Sequence, residues 1–128
     1  MNYEDVYRVL VSWMENEELT EEQTVIVRDN FSSLMETQID QINNLLDEPE
    51  ESKHYAAFIQ LSILSSFISA AAKKMPKILK KFEQFLQQII STIKKLAEKL
   101  GADSFSIGAG WPLAFSFDLS FPTKSGNP

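Results

Sequence analysis

From Phe105 to Phe121 every odd position carries an apolar side chain: Phe105, Ile107, Ala109, Trp111, Leu113, Phe115, Phe117, Leu119 and Phe121. Ser104, Ser106, Gly108, Gly110, Pro112, Ala114, Ser116, Asp118 and Ser120 fill the positions between them. A period of two belongs to β structure, with large apolar groups on one face and small or polar groups on the other. Fully extended, the stretch would reach about 56 Å at roughly 3.3 Å per residue. That is longer than a domain of this size is wide, so the ribbon is expected to fold back or bend. Gly108-Ala109-Gly110 is the natural turn, and a three-residue loop sets Ile107 opposite Trp111 and Phe105 opposite Leu113. Pro112 then belongs on an edge, where its missing donor costs no ladder bond. The second arm, ending at Phe121, is expected to overhang the first.

Everything upstream reads as helix. Residues 2–15 place Val6, Leu10 and Trp13 on one face, with Val9 and Met14 beside them and Asn2 as an N-cap. Thr20-Glu21-Glu22-Gln23 has the form of a capping box and opens a second helix. Its buried stripe is Val27, Phe31, Leu34, Met35, Ile39, Ile42, Leu45 and Leu46, and Pro49 follows its end. The third helix contains an uncharged run from Tyr55 to Ala72, bracketed by Lys53-His54 and Lys73-Lys74. Ser62, Ser65, Ser66 and Ser69 form a stripe of small polar groups that permits close approach of another helix. The fourth helix is expected to start at Pro76, which suits the first helical position because its missing donor costs nothing there. It carries Leu79, Phe82, Leu86, Ile89, Ile93, Leu96 and Leu100 at alternating spacings of three and four, an a/d seam. Gly101 suits the left-handed position after its end.

Charge divides the chain. Residues 1–52 hold fourteen carboxylates against Arg8 and Arg28, a net of −12. Residues 53–100 hold nine lysines against Glu83 and Glu98, a net of +7. Such asymmetry suggests two different external partners or, more simply, two halves that pack together and partly offset each other. The overall acidity argues against nucleic acid, which demands a basic surface. There is no cysteine, which excludes disulfides, thiolate metal sites and a cysteine nucleophile. The acidic N-terminus lacks the form of a signal peptide, so a cytoplasmic location is expected.

No residue set in the sequence carries catalysis. His54 is the one histidine, flanked by Glu50, Glu51 and Ser52, and reads as an exposed loop residue without a nucleophile elbow. Glu15, Glu17, Glu18, Glu21 and Glu22 lack the spacing and glycine of a calcium loop. Gly108-Ala109-Gly110 is followed by no Gly-Lys-Ser/Thr, so it is no phosphate loop. Neither a cofactor nor a small-molecule substrate is expected.

The expected fold is mainly α: a four-helix bundle-like domain over 1–101 with a C-terminal amphipathic β-hairpin over 102–122 and a disordered tail over 123–128, an α+β arrangement. A two-stranded hairpin is marginal alone, and its edges invite pairing. The expected function is therefore a non-catalytic protein–protein interaction or assembly module, most simply a homo-oligomer. The residues expected to act are Phe105, Ile107, Trp111, Leu113, Phe115, Phe117, Leu119 and Phe121 on the hairpin, with Lys73, Lys74, Lys77, Lys80 and Lys81 as a basic face. The alternative is a membrane-active protein inserting the hairpin or the uncharged helix 55–72, since alternating apolar and small residues also suit a barrel wall. In outline this resembles toxins that carry a membrane-active hairpin beside a helical bundle.

Overall fold

A computed structural model describes residues 3–108 and 116–122. Its elements are α1 (Tyr3–Trp13), α2 (Glu21–Asp47), α3 (Glu51–Lys74), α4 (Ile78–Glu83), α5 (Leu86–Leu100), β1 (Ser104–Ile107) and β2 (Phe117–Ser120). The chain is thus a helical domain closed by an antiparallel hairpin.

Thr20 opens α2 as a complete capping box. Its Oγ1 accepts from the Gln23 amide at 3.1 Å, and its own amide donates to Gln23 Oε1 at 3.0 Å. Two of the orphan donors at the helix start are thereby satisfied. The stripe on α2 is buried as expected, except that Leu45 is half-buried and Gln38 joins the buried set. α1 buries Leu10 completely and lays Val6, Tyr7, Val11 and Trp13 against the core, with Met14 just past its end, while Val9 turns outward. Asn2, expected as its cap, lies outside the described residues.

α3 starts at Glu51, so its first turn contains His54. That corrects the expectation of an exposed loop histidine: His54 is buried, and its Nε2 lies 2.7 Å from the Glu48 carbonyl oxygen. The arrangement requires the proton on Nε2, which then donates to a carbonyl left without an intrahelical donor at the end of α2. Ala57, Leu61, Leu64, Ile68 and Ala71 continue the buried face of α3 at helical spacing. α2, α3 and α5 pack on one another to form the main core, and α1 rests chiefly on α2.

The expected fourth helix is two helices. Ile78 begins α4 two residues after Pro76, and the helix breaks at Gln84 and Phe85 before α5 resumes. Here the amides of Gln84 and Phe85 donate three residues back, to Lys81 and Phe82, the latter at 2.8 Å. This tighter turn brings residues three apart into line, and both Phe82 and Phe85 are buried. At the other end Gly101 adopts φ +79°, Ala102 N–H donates to the Ala97 carbonyl at 2.8 Å, and Gly101 N–H to Glu98 at 3.3 Å. Those two bonds are a Schellman motif, which needs a residue tolerant of positive φ.

The basic half lies on the acidic half. Lys95 forms an ion pair with Asp47, and Lys81 Nζ donates to the Arg28 carbonyl at 2.7 Å. A neutral pin joins α2 to α5: Asn43 Nδ2 donates to Thr92 Oγ1 at 3.0 Å, and Thr92 in turn donates to the Gln88 carbonyl.

The hairpin keeps the expected parity but changes partners. Ile107 pairs with Phe117 and Phe105 with Leu119, six residues beyond the expected pairs. Gly108 N–H donates to the Ser116 carbonyl at 2.8 Å and Asp103 N–H to the Ser120 carbonyl at 2.7 Å, bounding the ladder. The described strands are equal, four residues each, rather than unequal. An even shift leaves the same side chains on the same face, so alternation alone cannot choose among such registers. Pro112, expected on a strand edge, lies outside the described residues.

Candidate functional site

The hairpin's alternation resolves into an inner and an outer face. Phe105, Ile107, Phe117 and Leu119 are half-buried against the helical core. Ser104, Ser106, Asp118 and Ser120 are exposed. Phe117 meets Phe58 of α3 edge to face, with ring centroids 5.9 Å apart. Phe121, past the end of β2, is exposed. Trp111, Leu113 and Phe115 lie outside the described residues, as does the tail from 123 to 128. Among the described residues each strand pairs only with the other, leaving one edge of each unpaired.

The five lysines of the expected basic face are divided among different tasks. Lys74 Nζ donates to the Asn16 carbonyl at 2.5 Å and reaches that of Glu17 at 3.5 Å, fastening the α1–α2 loop to the end of α3. Lys81 holds α2, as described above. Lys73, Lys77 and Lys80 are exposed.

The most distinctive surface is one that sequence reasoning missed. α3 is apolar on two faces, one toward the core and one toward solvent. On the second, Tyr55 is 54 % exposed, Ile59 58 % and Ile63 44 %, with Phe58 beside them. At 100° per residue these side chains share a stripe with Glu51, Ser62, Ser66 and Lys73. Tyr55 OH donates to Glu51 Oε1 at 3.3 Å, which confirms that alignment at the acidic end. Ser62 turns its hydroxyl back to the Phe58 carbonyl at 2.9 Å, so it presents little free polarity. The stripe therefore reads as acid, then apolar and small residues, then base. Its signal in the sequence is the spacing of four between residues 55, 59 and 63, running alongside the core stripe 57-61-64-68.

Beside this stripe, between α1 and α3, lies an open groove of about 390 Å³ floored by α2 and lined by Tyr7, Val11, Gln38, Gln60 and Ile63. Among the described residues the buried Tyr7 hydroxyl and Gln60 Oε1 find no hydrogen-bond partner. Burial pushes the Tyr7 phenol above the usual tyrosine range by disfavouring the phenolate. The Tyr7 ring packs edge-on against Phe67 at 5.5 Å. Among the described residues no three His, Cys, Asp or Glu side chains gather in a way that could hold a metal ion.

No family model matches this chain, and neither the curated proteins nor the solved structures include a match to it. Its function must therefore be argued from the surface itself.

Proposed function

We propose that this chain is a non-catalytic interaction module that binds another protein surface through the exposed face of α3 and the hairpin beside it. The observation that carries the reading is the row Tyr55, Phe58, Ile59 and Ile63, large apolar side chains exposed together on a central helix. Scattered apolar residues are ordinary on a protein surface, whereas a contiguous row marks a site of contact. The Phe58–Phe117 contact joins this row to the hairpin, whose unpaired strand edges extend the surface with backbone donors and acceptors.

A membrane reading starts from the same helix, which is long and apolar enough to cross a bilayer. Protein contact is favoured because α3 also supplies Leu61, Leu64, Phe67 and Ile68 to the core. Insertion would withdraw them from their partners, at about 1.5–3 kcal/mol for each large side chain.

The reading is tested with a photo-reactive amino acid at position 59 of the full chain in cells, and at the exposed Val25 of α2 as a control. A discrete adduct from position 59, absent from position 25 and lost on Ile63→Glu, supports it. No discrete adduct from position 59, or the same pattern from both sites, contradicts it.

A further inference from the structure

The exposed stripe of α3 is complementary to itself when reversed. Glu51 stands at its N-terminal end and Lys73 at its C-terminal end, and the residues between them on that face are uncharged. The two charges are 22 positions apart, about 33 Å at 1.5 Å per residue. A second α3 laid antiparallel on the first sets Glu51 against Lys73 at both ends of the contact. A parallel pairing sets like charge against like at each end, which is unfavourable. Ser62 and Ser66 lie near the middle of the stripe, where small side chains let two helices approach to the usual 8–10 Å. Such a contact is isologous, with one patch serving both subunits, as two-fold dimers require.

We infer that the partner of this face is a second copy of the same chain, bound through an antiparallel α3–α3 contact with its two-fold axis near Ser62 and Ile63. The inference rests on the interaction reading above and names its partner. Residues whose numbers sum to about 124 to 125 then face each other: Ser62 near its own copy, Tyr55 near Ala70, and Glu51 near Lys73. Lys74 is not part of the contact, because it turns toward α1 to hold the Asn16 carbonyl.

The natural chain has no cysteine, so single cysteines report the geometry without interference. In the full chain, Ser62→Cys is expected to form a disulfide-linked dimer under mild oxidation, since the two Cα atoms fall within bridging distance. Tyr55→Cys alone and Ala70→Cys alone are expected to remain uncrosslinked, their own copies being about 22 Å away along the helix. Mixed, those two variants are expected to give a cross-linked heterodimer. Lys73→Glu is expected to weaken dimerisation about tenfold or more, and Glu51→Lys on the same chain to restore it. Self-crosslinking of Tyr55→Cys shows a parallel pairing and overturns the proposal. So does failure of both Ser62→Cys and the mixed pair to cross-link while far-ultraviolet circular dichroism shows each variant folded. If that failure accompanies a discrete adduct from position 59 to a different protein, self-pairing falls and the interaction reading stands. If position 59 gives no adduct either, both fall.

Discussion

Phe58 of α3 and Phe117 of β2 meet edge to face, their ring centroids 5.9 Å apart and their planes at 74°. The contact sits where three features converge: the inner face of the hairpin, the core, and the exposed row on α3. It holds the hairpin against the bundle and leaves Tyr55 and Ile59 uncovered beside it.

Phe58→Ala and Phe117→Ala are each expected to destabilise the fold, and the pair to show coupling. Edge-to-face pairs contribute about 0.5–1.5 kcal/mol beyond their area. A double-mutant cycle in urea checks this. A coupling energy of zero would mean that the rings touch without holding the hairpin in place.

His54→Ala is expected to cost about 1–3 kcal/mol, because the Glu48 carbonyl loses its donor beside a buried space. The denaturation midpoint reports the loss. His54→Phe fills the space but supplies no donor, so it separates the hydrogen bond from the packing.

The cap at the start of α2 and the one at the end of α5 can be tested separately. Thr20→Ala removes the capping box and is expected to cost about 1 kcal/mol. Gly101→Ala forces a Cβ into φ +79°, where nothing nearby obstructs it, so the cost is the backbone penalty of roughly 1–2 kcal/mol. Thermal or urea unfolding measures each.

Tyr7 supplies a pH signature. Its buried phenol is held neutral in the folded state, whereas the unfolded chain ionises near its ordinary value of 10.0. Below that pH both states keep the proton and Tyr7 adds no pH dependence. Above it the unfolded state loses the proton first, so stability falls as pH rises. Tyr7→Phe is expected to remove this alkaline component. It also deletes a buried hydroxyl that has no partner among the described residues, so stability at neutral pH is expected to be unchanged or higher. Urea midpoints for the two proteins between pH 8 and pH 11 test both statements.

Where a residue's chemistry is local, the chain is legible before it is folded. Thr20 and Gln23 announce their capping box, Gly101 announces a left-handed stop, and the period-two residues Phe105, Ile107, Phe117 and Leu119 do turn one face to the helices. Where several arrangements satisfy the same pattern, it is not. The hairpin shifts six residues without moving any side chain to the other face, so its partners are chosen by tertiary contact. The break at Gln84 and Phe85 is masked because spacings of three and four run straight through it. His54 changes from exposed to buried because α3 begins at Glu51. The exposed face of α3 escapes notice because the run from Tyr55 to Ala72 carries no charge to mark which of its two apolar stripes meets water.

Sedimentation equilibrium of the unmodified chain beside Ile59→Glu tests the role of that exposed face most directly. If α3 pairs with a second copy, the native chain moves with concentration from 14.6 kDa toward twice that mass. The variant, its carboxylate placed at a position 58 % exposed in the single chain, stays folded and at 14.6 kDa. A native chain that remains at 14.6 kDa up to millimolar concentration contradicts self-pairing, as does a variant that dimerises as tightly as the native protein.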